Sequence, residues 1–271
     1  SKFYTAYKMS LQIIETNLEE GVLTITLNRP DVLNSFNYGM AEEVQDAFKE
    51  AESNDEIRCV LLTANGKGFC AGQDLKEVTE IAKDPNRELG EVVHHTYNPI
   101  IRAIRTLEKP VICAVNGTAA GAGANIALAC DMVFAAEEAK FIQSFSNIGL
   151  IPDSGGTYIL PRLIGLARAT ELTFTGRPVK APEAVEMGMI YKSVPADELM
   201  NEAMGLCKKF AKMPTRGYGL TKKGFNEGFN NDLETQLKLE ADLQAEAGST
   251  EDYHEGVAAF LEKRKPEFKG K

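Results

Sequence analysis

Three short stretches of this chain combine small residues with polar groups in a way that suits ligand chemistry. The first is Gly66-Lys67-Gly68-Phe69-Cys70-Ala71-Gly72-Gln73-Asp74-Leu75, directly after the apolar run 59–63. Glycine and alanine there let a ligand approach the main chain and leave amide N–H groups aimed at it. A tight strand-to-helix connection would use the same residues. The second is Asn116-Gly117-Thr118-Ala119-Ala120-Gly121-Ala122-Gly123-Ala124, mostly Gly and Ala, between a predicted strand and a predicted helix. It bares a helix N-terminus, which favours negative charge above it. It lacks the GxGxxG spacing and the GK[ST] ending, so neither a dinucleotide fold nor a P-loop is indicated. The third, residues 149–157, carries Asp153 between Pro152 and Ser154-Gly155-Gly156. A lone carboxylate in a small-residue loop is a candidate general acid/base. Its bland alternative is the N-cap of a helix running to Leu163.

The elements that must position these loops follow from hydropathy patterning. Residues 11–15 and 22–27 alternate as strands around a turn at Glu19-Glu20-Gly21. A helix fits 39–51, with Met40, Val44, Phe48 and Ala51 on one stripe. Residues 59–63 and 111–115 read as buried strands, 92–107 as one helix, 122–129 as a helix and 132–135 as a strand. Alternation of strand and helix implies a sheet with crossover helices. From about Ala167 the strand signal fades, and 197–212, 232–247 and 250–263 are helical in pattern. The expected class is α/β, a core over residues 10–195 followed by a helical C-terminal lobe over 196–271.

With 271 residues, 44% hydrophobic and 25% charged, the chain has ample material for a core. Its apolar runs are far shorter than the ~20 residues of a membrane helix, so no membrane association is expected. Residues 1–8 read as a short polar leader without signal-peptide character. The five cysteines, Cys59, Cys70, Cys113, Cys130 and Cys207, are scattered and show no CxxC spacing. They point to reduced thiols in a cytoplasmic protein, with no metal site. A net charge of −9 argues against nucleic-acid partners.

Taken together, the loops and their flanks resemble the crotonase (enoyl-CoA hydratase/isomerase) superfamily. The resemblance starts at Asn28-Arg29-Pro30 and Leu33-Asn34 and runs through the two Gly-rich loops. It continues with Ala129-Cys130-Asp131, Gly149-Leu150-Ile151-Pro152 and Gly155-Gly156-Thr157, then Thr175-Gly176-Arg177, and closes with residues 259–264. It covers nearly everything from residue 10 onward. What it implies is a ClpP-like spiral core of ββα units with a C-terminal oligomerisation lobe, assembled as a homotrimer or a dimer of trimers. It also implies coenzyme A thioester substrates and no separate cofactor, since coenzyme A is part of the substrate.

Residue by residue, the resemblance places the two thioester-polarising backbone donors at Gln73 and Ala122. Positions matching acyl-CoA contacts are Val32, Leu33, Ala71, Asp74, Leu75, Phe145, Phe260 and Lys263. The two slots where hydratases of the family carry glutamates hold Asn125 and Phe145, and neither is a general base near neutral pH. Asp153 falls where several family isomerases keep their acid, and an apolar setting near Phe145, Leu150 and Ile151 would raise its pKa. Isomerisation by Asp153 is therefore the expected reaction. Three alternatives stay open: hydration with rearranged acids, a nucleophilic Asp153, and a silent acyl-CoA-binding or RNA-binding paralogue. The nucleophilic reading is weakened because family dehalogenases rely on a tryptophan and this chain has none. His94, His95 and His254 read as solvated residues, and Cys70 as a packing residue.

Overall fold

The computed structural model describes residues 13–271; the polar leader and the start of the first predicted strand lie outside the described residues. Strands β1 (Ile14–Glu19) and β2 (Val22–Leu27) form an antiparallel hairpin. Glu20 and Gly21 both take positive φ, +49° and +79°, as a two-residue turn between twisted strands requires. Helix α1 (Tyr38–Ser53) is capped by the Asn37 side chain and buries the expected stripe of Met40, Val44, Phe48 and Ala51. Strand β3 (Cys59–Ala64) follows, buried at every position, then the short β4 (Gly68–Cys70). Three helices come next, α2 (Leu75–Lys83), α3 (Leu89–His95) and α4 (Tyr97–Thr106).

The next two units repeat one plan. Strand β5 (Val111–Val115) passes into β6 (Thr118–Ala120) and helix α5 (Ala122–Ala129). Strand β7 (Met132–Ala136) passes into β8 (Lys140–Ile142), then α6 (Gly156–Ile164) and α7 (Leu166–Thr175). The core closes with β9 (Pro178–Lys180), α8 (Ala181–Glu186) and β10 (Lys192–Val194). The five long strands and the short β10 share a six-stranded sheet in the order β1-β2-β3-β5-β7-β10, parallel except at β1. Short strands build a second sheet, β4-β6-β8-β9. Strands β3, β5 and β7 each feed a short strand of the other sheet before the chain turns into helix, the spiral of ββα units that the resemblance implies.

Helices make up the rest: α9 (Leu199–Phe210), α10 (Thr215–Gly228), α11 (Leu233–Gly248) and α12 (Glu251–Glu262). Asp232 and Thr250 cap the last two. Helix α9 lays Leu199, Ala203 and Cys207 into the main core against β3, β5 and β7. Arg58, at the head of β3, donates to the Met213 and Phe268 carbonyls at 2.6 and 3.0 Å and so ties the C-terminal segment to the sheet.

Three features differ from the sequence reading. The predicted helix over 92–107 is broken at Thr96. Pro99 has no N–H for the His95 carbonyl, and Gln45 Nε2 donates to the His95 and Thr96 carbonyls instead, both at 3.0 Å. Strands β9 and β10 lie beyond Ala167, where little strand signal is legible, because three residues are too few for alternation to register. Helix α10 goes unread because it contains Gly217, Gly219, Gly224 and Gly228. Gly219 has a packing reason: a Cβ there would stand 2.7 Å from the Glu108 carbonyl oxygen. No helix among the described residues is long and apolar enough to cross a membrane.

Candidate active site

The site begins with a turn that holds its own shape. After β2, Leu33 and Asn34 both adopt positive φ, +51° and +56°, an uncommon backbone for such residues. Asn34 makes that affordable: its Oδ1 accepts from the Arg29 N–H at 2.7 Å, and its Nδ2 donates to the Asn65 and Gly68 carbonyls at 2.8 and 2.9 Å. The turn is thereby stitched to the β3–β4 connection. Arg29 then reaches Asp74 at 2.9 Å, and Asp74 also caps α2 by accepting from the Lys76 N–H. Burial alone would raise the Asp74 carboxyl, but the Arg29 and Lys76 donors outweigh it and hold it below the usual range.

This scaffold aims the backbone of Gln73. The Phe36 N–H donates to the Gly72 carbonyl at 2.7 Å, and the Asp74 N–H donates to the Phe36 carbonyl at 2.8 Å. In such a parallel bridge the Gln73 amide points away from Phe36. Gly72, at φ +95°, lies flat against the second loop: a Cβ would meet the Ala120 carbonyl oxygen at 3.1 Å and the Ala122 nitrogen at 3.7 Å. Gly121, at φ +55° and ψ −128°, turns the chain into α5, whose first residue is Ala122. Among the described residues the Ala122 N–H has no hydrogen-bond acceptor, as expected of the first amide of a helix. The Gly-rich loops thus stand side by side, each presenting an amide. Cys70 is fully buried beneath them, packed where a Gly123 Cβ would sit, and burial pushes its thiol up to about 12. That is a packing residue.

Asp153 joins this pair through α5. Gln143 Nε2 donates to Asn125 Oδ1 at 2.7 Å, and Asn125 Nδ2 donates to the Asp153 backbone carbonyl at 3.0 Å. Asn125 is thus a buried positioning residue, one turn into the helix that begins at Ala122. The N-cap of α6 is Gly155, not Asp153, so the capping alternative for the Asp153 side chain fails. Positive φ at Ser154 and Gly155, +54° and +75°, turns the loop sharply. The carboxylate accepts from Ser154 Oγ, at 3.0 Å, and from its own backbone N–H. Burial raises it to about 6 against those two hydrogen bonds. The expected apolar cover differs in part: Phe145 is buried beside Gly121, whereas Ile151 is 74% exposed and shields nothing.

Tyr97 also faces this cluster. The helix break at Thr96 makes it the first residue of α4, 2% exposed, with its ring edge-on to Phe36 at 5.9 Å. Sequence reasoning missed Tyr97, Phe36, Arg29 and Gln143; Pro99 was the one local signal that the helix restarts here.

Of the positions matched to acyl-CoA contacts, Val32, Leu33, Ala71 and Leu75 form an exposed, largely apolar rim around Gln73. Asp74 belongs to the same rim, but its carboxylate is committed to Arg29 and the α2 cap. Phe145 lies inside. Phe260 and Lys263 are not brought to the others. Helix α12 packs on α11, and the segment after it docks on Arg58, at the opposite end of β3 from the site. A hollow of about 510 Å³ beside Asp131 also lies at that far end. Its buried Lys222 is paired to Asp131 at 2.8 Å, and it offers no comparable amide pair.

The enoyl-CoA hydratase/isomerase family model matches residues 17–271. A 1,2-epoxyphenylacetyl-CoA isomerase of Escherichia coli is 49% identical over 261 residues, 96% of this chain and 100% of that one. A short-chain-enoyl-CoA hydratase of Clostridium acetobutylicum is 37% identical over 96% of this chain and 98% of its own. The crystal structure of an enoyl-CoA hydratase from Bacillus anthracis superposes with a TM-score of 0.88 at 36% identity, covering 96% of this chain and 100% of that one. Sequence and fold agree over the same span, and the chain belongs to the enoyl-CoA hydratase/isomerase family, with the crotonase fold.

Proposed function

We propose that this protein isomerises coenzyme A thioesters through an enolate, with 1,2-epoxyphenylacetyl-CoA or a 3-enoyl-CoA as substrate. The observation that carries the reading is Asp153. It is a carboxyl raised to about 6 in the cluster that also holds the two loop amides. The Gln73 and Ala122 N–H groups would take the thioester oxygen, and they are fixed before substrate arrives. Preorganised donors of this kind are worth about 3 kcal/mol or more each to a developing oxyanion. Asp153 as carboxylate removes a proton beside the thioester; the electron pair moves onto the oxygen held by the amides. The same group, now protonated, returns the proton elsewhere on the delocalised system. On an epoxide-bearing ring the enolate and the protonated acid together assist opening and ring expansion.

Hydration by the family's usual route needs two acids that hold a water. Here Asn125 is tied between Gln143 and Asp153, and Phe145 offers no acceptor. We place coenzyme A on the rim of Val32, Leu33, Ala71 and Leu75, with no further cofactor. Phe260 and Lys263 would reach the coenzyme A bound to a neighbouring copy, in a homotrimer or a dimer of trimers. A cytoplasmic setting suits five buried free cysteines.

The test is a panel of 3-enoyl-, 2-enoyl- and epoxide-bearing phenylacetyl-CoA with the native protein and Asp153→Asn. Native turnover of the first or third, with a loss of ~10²-fold or more in Asp153→Asn, is expected. Efficient hydration of the 2-enoyl substrate, or full activity in the variant, would overturn the reading.

A further inference from the structure

We propose that Tyr97 sets the acyl-group specificity of this site, its phenol O–H donating a hydrogen bond to an oxygen carried on an aryl or cyclic acyl group. The inference rests on the reading of Asp153 and the two loop amides given above. Three observations place the ring. Its edge-on partner Phe36 brackets the Gln73 backbone by two hydrogen bonds. One turn further along α4, Ile101 packs where a Cβ on Gly155 would sit, 3.3 Å from its Cγ2, two residues after Asp153. Long helical side chains lean toward the helix N-terminus, so Tyr97 stands over the space between the Gln73 loop and the Asp153 turn.

The hydroxyl is the informative atom. Tyr97 is 2% exposed and no hydrogen bond engages its hydroxyl among the described residues, yet that oxygen is not one of the enclosed polar atoms: the ring is buried and its tip opens onto accessible space. In the free protein water can serve it; an acyl group bound over it excludes that water, and a hydroxyl then left without a partner is costly. Burial disfavours its ionisation, as do the negative forms of Cys70, Asp153, Glu77 and Tyr38 nearby. The group therefore stays a neutral donor. The thioester oxygen is already served by two amides, and Phe36 and Phe145 supply no acceptor. A second oxygen on the acyl group would satisfy it; an all-carbon acyl group would leave it unpaired, and sites built around such a group reject ligands that lack its partner.

Binding of two ligands that cannot rearrange, phenylacetyl-CoA and 2-hydroxyphenylacetyl-CoA, tests this by calorimetry. The native protein should bind the hydroxylated ligand about tenfold tighter. Tyr97→Phe should bring the two dissociation constants within about twofold, with phenylacetyl-CoA affinity little changed. A crystal of the native protein with 2-hydroxyphenylacetyl-CoA reads the same contact without a variant. A ring oxygen within about 3.2 Å of Tyr97 Oη is expected. No discrimination by the native protein, discrimination that survives in Tyr97→Phe, or a ring oxygen hydrogen-bonded elsewhere would overturn the proposal. Asp153→Asn should keep the native preference. Retained turnover in that variant would sink the isomerase reading while leaving the binding result to stand or fall alone.

Discussion

Asp153, raised by burial to about 6, should leave two marks on pH dependence. As the base it must be ionised, so kcat/KM should climb as pH rises through about 6 and level off above it. The stability effect has the opposite sign. Between about pH 4 and pH 6 the native state keeps a proton that the unfolded chain has already lost, so stability falls as pH rises through that window. For roughly two units the loss is about 3 kcal/mol at most. Asp153→Asn, which never ionises, should therefore gain melting temperature over the native protein at pH 8 and little at pH 4. An equal difference at both values would mean that the carboxyl is not buried as described. At this scale the sequence was informative where chemistry needs an isolated group. An acid among glycines stands out. Tyr97 did not, because an aromatic residue in a helical pattern reads as core, and the distant Phe36 contact that aims it leaves no local trace.

The elements act through how closely their ends approach. Gly72 lets the first Gly-rich loop lie against the second, and its φ of +95° suits glycine alone. Gly72→Ala should strain the turn and press a Cβ against the Ala120 carbonyl, separating the two amides by a few tenths of an ångström. Kinetics and thermal melting would check it: kcat should fall about tenfold or more, in keeping with the sensitivity of reacting geometry to displacement, while the fold survives. An unchanged kcat would show that another contact sets the spacing of the loops. Long strands and capped helices were legible here, because β3, β5 and β7 are apolar runs and Asp232 and Thr250 announce α11 and α12. The second sheet was not. Its strands are three residues long, and their pairing is dictated by where the long strands deliver them.

Across the whole molecule, large apolar side chains stay uncovered on the C-terminal helices. Phe225, Phe229 and Leu233 are 71%, 62% and 69% exposed, and Phe260 and Leu261 are 83% and 74% exposed. Patches of that kind ordinarily mark interfaces, and Phe260 and Lys263 sit away from the rim they match. Sedimentation at micromolar concentration should show trimers or pairs of trimers; monomer alone would remove the proposed role of a neighbouring copy. Assembly was legible only through the family resemblance, since hydropathy does not distinguish a face that meets another copy from one that packs within the chain.

Arg58 has a consequence for how the molecule comes together. Its partners Met213, Thr215 and Phe268 lie 155, 157 and 210 residues further along the chain. Bringing such distant segments together costs entropy before any contact is returned. Until α9 to α12 have docked, the guanidinium at the head of β3 must remain hydrated, and the sheet it guards can open at that edge. Locking that edge is therefore a non-local step, of the kind that slows refolding.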